Sequence, residues 1–246
     1  MSRILVVGDV HLKPWIFDMA DRVDPALYDN IICLGDYVDD WGKENDQKLY
    51  RETLERLVSF AQDHPKALLC YGNHDISYLY MFMETGFSLH MMDTVQKGLE
   101  RLKEVAGDRL AVIHRIDDTL FSHAGLGRYF VDVLIPLYSD EFVDPLDIDA
   151  LIKTANDMVD KADGVDLLWN DASPIWLRPQ HGYNSLYKQD KYYQVIGHTP
   201  VEAPFERDNS LSLDTFSTWS DGKPFGDARL VIVDTEEHRW EYASGD

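Results

Sequence analysis

The chain has 246 residues, a formal net charge of −21, 45% hydrophobic and 27% charged residues. It is long enough to bury a sizeable core, yet no stretch reaches the roughly 18 apolar residues of a membrane span. The acid surplus argues against a nucleic-acid backbone as main partner, because that binding depends on clustered Lys and Arg.

The start, "MSRILVVGDVH", runs straight into an apolar segment without the features of a signal peptide, so a cytoplasmic protein is expected. "RILVV" (3–7), "NIICL" (30–34) and "ALLCY" (67–71) are short, continuous apolar runs, as expected of strands buried on both faces. Cys33 and Cys70 lie inside two of them and read as small buried hydrophobes. Between them, "DQKLYRETLERLVSFAQDH" (46–64) places Leu49, Leu54, Leu57, Val58 and Ala61 near one helical face. The alternation suggests βαβ units and a parallel sheet. Residues 76–105 read as mostly helical, and "RLAVIHRIDDTLFSHAG" as two strands around a turn at "IDD". Residues 126–190 are mixed helical and irregular. Trp169, Trp176, Tyr183 and Tyr187 gather there, either lining a pocket or forming a small local core. "YYQVIGH", "SLSLDT", "ARLVIVDT" and "HRWEYA" close the chain as strands. With no repeat and no long linker, 1–246 is expected to be one domain with a lid-like insertion at about 126–190.

The apolar runs share a form of ending: "GDVH", "GDYVDD", "GNHD", "SHAG" and "IGHTP". Ligands of open α/β sheets bind at the carboxyl ends of the strands, so Asp9, His11, Asp36, Asn73, His123 and His198 are expected to converge there. Carboxylate, imidazole and amide oxygen, without thiolate, suit a hard or borderline divalent ion. A carboxylate such as Asp36 has lone pairs enough to bridge two ions, and two cations would explain why Asp36 and Asp39 share one short loop in "GDYVDD". His64, His90, His114, His181 and His238 lack such a setting and are expected at surface or packing positions.

The order "GDVH … GDYVDD … GNHD … SHAGL … GHTP" resembles the calcineurin-like metallophosphoesterase superfamily, most of all its bacterial and phage Ser/Thr phosphoprotein phosphatase branch. The likeness runs from residue 3 to about 215 and includes "LFSHAGL" and "DLLWND". It implies a four-layer αββα sandwich, two mixed β-sheets flanked by helices. It also implies two divalent ions, Mn²⁺ first and Fe²⁺ or Zn²⁺ next, with Asp9 and His11 on one, Asn73, His123 and His198 on the other, and Asp36 bridging. His74 would protonate the leaving group, oriented by Asp39, after in-line attack by a metal-bound hydroxide. Asn73 would also contact the substrate phosphate. The substrate would be a phosphomonoester, phosphoserine or phosphothreonine in a protein first, with a symmetrical diadenosine tetraphosphatase-like nucleotide hydrolase as the alternative.

Two positions depart from the branch's pattern. Asp40 stands where an arginine normally grips the phosphate, and Asp75 stands where Glu is usual. Arg178, in "SPIWLRP", is the expected replacement clamp, ahead of Lys13 and Arg115.

Overall fold

The computed structural model describes residues 2–139, 142–161, 164–181 and 185–243. Its first sheet comprises β1 (Arg3–Val7), β2 (Asn30–Cys33), β3 (Leu68–Cys70), β4 (Leu110–Ala111), β10 (Val231–Asp234) and β11 (Arg239–Tyr242), in the order β11-β10-β1-β2-β3-β4. β1 to β4 are mutually parallel, as the βαβ alternation predicts, whereas β10 and β11 join antiparallel. The second sheet runs β5 (Ile113–Ile116), β6 (Thr119–Ser122), β7 (Tyr193–Pro200), β9 (Ser210–Asp214), β8 (Phe205–Arg207) and is also mixed.

The strands alternate their side chains between two cores, as a pleated backbone must. Ile4, Val6, Ile32, Leu34 and Cys70 of the first sheet pack against Phe121, Tyr193, Val195, Leu211 and Leu213 of the second. On the other face, Leu5, Val7, Ile31, Cys33 and Leu69 meet the apolar stripes of α1 (Trp15–Arg22), α2 (Gln47–Asp63) and α4 (Met92–Ala106). Both cysteines are free and buried. Residues 126–190 carry α5 (Ile135–Tyr138), α6 (Ile148–Asp157) and α7 (Gly164–Leu168). Buried Gln194 of β7 ties this stretch to the second sheet by accepting from Leu126 N at 2.8 Å and donating to Leu126 O at 3.2 Å. The result is two mixed sheets flanked by helices.

The structure refines the sequence reading at three places. The helical stretch 76–105 is two helices, α3 (Asn73–Tyr80) and α4, because Met81 turns left-handed (φ 58°) and ends the first. "RLAVI" is not one strand of a hairpin: Leu110–Ala111 joins the first sheet and Ile113–Ile116 the second. Asn156 fixes the crossover by accepting from both Val112 N (3.0 Å) and Ile113 N (2.9 Å). Residues 205–207 form an edge strand that the sequence reading did not mark.

Candidate active site and metal centre

Each early strand ends in a loop that is lashed to its neighbours. Val10 N and His11 N, after β1, both donate to Asp36 O, after β2, at 3.0 and 2.8 Å. The buried carboxylate of Asp75, in the first turn of α3, accepts from Gly72 N (2.8 Å), Asp36 N (2.9 Å) and Tyr37 N (3.0 Å). It therefore holds the "GDYVDD" and "GNHD" loops against each other, a role the sequence reading did not assign. Two glycines make room for acids: a Cβ on Gly72 would lie 2.0 Å from Asp36 Oδ1, and one on Gly197 1.9 Å from Asp9 Oδ1. His11, Asp36, Asp39 and His198 take φ of 42°, 49°, 63° and 66°. Left-handed backbone at non-glycine residues costs on the order of 1–3 kcal/mol each and concentrates at functional sites. For His198 this conformation coincides with an irregularity of β7 between Ile196 and Pro200, so His198 lies within the strand and not beyond its end.

All six expected ligand residues converge. His123 Nδ1 lies 2.9 Å from Leu34 O. A carbonyl can only accept, so the neutral ring carries its proton there and Nε2 presents a lone pair. That lone pair faces Asn73 Oδ1 at 3.0 Å, His198 Nδ1 at 3.1 Å and Asp36 Oδ2 at 3.2 Å. His11 repeats the pattern: Nδ1 meets Asp39 O at 2.8 Å, and Nε2 faces Asp36 Oδ2 at 3.7 Å. On the other side, Asp9 Oδ2 accepts from His198 N at 2.9 Å, while Asp9 Oδ1 is buried without a partner among the described residues. Acceptors crowd onto acceptors, with few protons among them. A buried polar atom without a partner costs about 1–3 kcal/mol, and cations at the centre would satisfy several at once.

Electrostatics follow the same logic. Burial raises the Asp9 carboxyl well above its usual range, with Asp214 and Asp36 adding to the effect. Burial also lowers the imidazoles of His11 and His198. Asp36 differs: burial would raise it, but His123, His74 and His11 around it hold it far below the usual carboxylate range. Metal binding requires neutral imidazoles and ionised carboxylates; the lowered His11 and His198 favour the first, and a cation beside Asp9 would displace the proton that burial favours there.

Beside this cluster, His74 Nδ1 lies 3.0 Å from Asp39 Oδ2. Asp39 is buried, and its other oxygen accepts from Tyr50 OH (2.5 Å) and Tyr78 OH (2.6 Å). Burial would lower the His74 imidazole, but the carboxylates of Asp36, Asp39 and Glu84 prevail and push it up to about 10. Its Nε2 is turned toward Glu84 Oε1, 3.5 Å away.

His11, Asp36, Asp39, Asn73, His74 and His198 line one cleft together with Arg178, Glu84 and Trp41. Arg178 Nη1 donates to Thr199 Oγ1 (3.0 Å) and His198 O (3.2 Å). Asp40 lines the cleft as well, but it is engaged by Lys13 Nζ (3.0 Å) and Thr218 Oγ1 (2.5 Å), which ties up Lys13. Arg115 lies elsewhere, bound to Asp149 and Asp117 O, and drops out as a phosphate clamp. Trp169 and Trp176 stack edge to face (5.0 Å) against the core and Tyr187 is buried, so these three belong to packing; Tyr183 lies outside the described residues. His64, His114 and His238 bind Asp21, Leu69 O and Asp118, and His90 is exposed. The side chain of His181 lies outside the described residues. The sequence reading missed Glu84 and Trp41, which sit in loops without a periodic signal. It also missed Asp214, the last residue of β9, although "SLSLD" ends in an acid as "RILVVGD" does.

The family model described as calcineurin-like phosphoesterase matches residues 2–227. Among solved structures, a protein serine/threonine phosphatase from Saccharomyces cerevisiae, titled as having similarity to human phosphatase PP5, superposes with a TM-score of 0.55 at 16% identity. The match covers 98% of this chain and 79% of that one, and shows a shared fold. No curated protein sequence matches.

Proposed function

The chain belongs to the calcineurin-like phosphoesterase family, and from that premise we propose that it is a dinuclear metal-dependent phosphomonoesterase acting on phosphoserine or phosphothreonine in proteins. The observation that carries this reading is the cluster of lone pairs around His123 Nε2 and Asp36 Oδ2, set beside a proton-bearing His74. Asp9 and His11 would hold one ion and Asn73, His123 and His198 the other, with Asp36 between. Oxygen and imidazole donors without thiolate suit Mn²⁺, Fe²⁺ and Zn²⁺ alike, and of these Mn²⁺ is the ion we propose. When bound, such a pair of ions polarises phosphoryl oxygens and supplies hydroxide at neutral pH.

The chain's own residues do the rest. His74, protonated and oriented through Nδ1 by Asp39, gives its Nε2 proton to the departing oxygen. Arg178, anchored by one nitrogen, takes the phosphate oxygens and stands in for the clamp that Asp40 cannot supply. Asn73 adds a contact to the phosphate. Residues 126–190 act as a lid-like insertion of a single domain spanning 1–246 and deliver Arg178 to the cleft.

One observation favours a second reading, a nucleotide hydrolase of the diadenosine tetraphosphatase kind: Trp41 lines the cleft and is 46% exposed, offering a face on which a base can stack. Parallel assays with manganese on a phosphoserine peptide and a dinucleoside tetraphosphate separate the two. Turnover of the peptide is expected; hydrolysis of the dinucleotide alone would overturn the protein-phosphatase reading.

A further inference from the structure

Asp214 is 1% exposed and lines the cleft. Its Oδ1 accepts from Ser217 N at 3.3 Å, which fixes the carboxylate, while Oδ2 is buried with no partner among the described residues. Asp9 is in the same state, with one oxygen held by His198 N and the other unpartnered. The ligating atoms of Asp9, His11 and Asp214 all lie within 4.8 Å of one another. Two buried carboxylates aiming bare oxygens at one point repel strongly unless a proton or something cationic lies between them. Among the described residues no Lys or Arg fills that role, since Lys13 is committed to Asp40 and Arg178 donates to His198 O and Thr199 Oγ1.

We propose that Asp214 is a further ligand of the first metal ion, completing with Asp9, His11 and Asp36 a set of three carboxylates and one imidazole. The inference rests on reading the cleft as a metal centre. It makes the two positions chemically unequal: the first is rich in carboxylate and suits a hard ion, while the second, with two imidazoles, an amide oxygen and the shared Asp36, suits a borderline one. Asp214 also comes from β9, so the second sheet contributes to both positions and not to the second alone.

The test compares wild type with Asp214→Asn and, in case that variant folds poorly, Asp214→Ser. Manganese is titrated calorimetrically into metal-stripped protein, and melting is followed with and without the ion. Loss of an outer-sphere partner typically weakens a metal site about 10–100-fold. For a direct ligand, one of two Mn²⁺ binding steps is expected to weaken by more than about 100-fold, beyond that range, while the other persists. Stripped variants should melt higher than stripped wild type, since one of two facing buried charges is gone, yet gain less on adding manganese. A purely structural residue would give the reverse, a lower stripped melting point and an undiminished gain. Two unchanged binding steps, or that reverse pattern, overturn the assignment of Asp214. Failure of wild type itself to bind two ions instead overturns the reading of the metal centre.

Discussion

Replacing Asp39 with Asn tests the proton-donor assignment without removing the imidazole. Asp39 Oδ1 accepts from two tyrosine hydroxyls and Oδ2 faces His74 Nδ1. The tyrosines will keep the amide oxygen of an asparagine on their side. The amide nitrogen then faces His74 and can only donate, so Nδ1 must become an acceptor. His74 is thereby held neutral with its proton on Nε2, and donation from that tautomer would leave an imidazolate. The variant has the residue in place and the acid switched off. Positioned general acids contribute about 10²–10⁴-fold, or about 3–5 kcal/mol at 1.36 kcal/mol per decade. The assay is kcat on a phosphoserine peptide, whose alkoxide leaving group needs the proton, against a nitrophenyl ester, whose leaving group does not. A loss in that range on the peptide and a markedly smaller one on the aryl ester are expected. Equal losses on both substrates would refute the argument.

Arg178→Ala should raise KM and lower kcat/KM by about 10–150-fold, matching a charged hydrogen bond of about 1.5–3 kcal/mol; Arg178→Lys should recover little, because a lysine cannot present a fork. Unchanged steady-state kinetics would remove Arg178 from the site. Gly197→Ala forces a Cβ to within 1.9 Å of Asp9 Oδ1, and is expected to cost about 1–3 kcal/mol by overpacking and to lower the metal content, read by denaturant melts and elemental analysis. The buried His114 imidazole is lowered by desolvation, so the folded form binds fewer protons than the unfolded chain. Stability is therefore present above the ordinary histidine value of about 6.5 and lost as pH falls through it. His114→Gln should reduce the drop in urea midpoint between pH 7.5 and 5.5, and an unaltered drop would remove this residue as a source of it.

What was legible in the sequence follows from how local each signal is. An apolar run followed by Gly-Asp or Gly-Asn-His is a strand end with a donor attached, and every such ending does meet at the site. Distant partners were illegible. That "RLAVI" divides between two sheets depends on Asn156, which is 44 residues from Val112. Glu84 reaches His74 from the loop that follows the left-handed Met81, a conformation no side-chain pattern announces. Asp214 ends a strand as Asp9 nearly does, but without a neighbouring histidine it carried no distinguishing mark. Asp75 shows the converse: its departure from the usual Glu was visible, while its bonds to three amides across two loops were not.

His198 donates its backbone N–H to Asp9 across 189 residues of chain. During synthesis, therefore, Asp9 and His11 leave the ribosome long before their counterparts exist. A chain that stops short of His198 lacks both the amide that holds Asp9 and an imidazole of the cluster, so the geometry of the first strand's ending is completed only by a residue made much later.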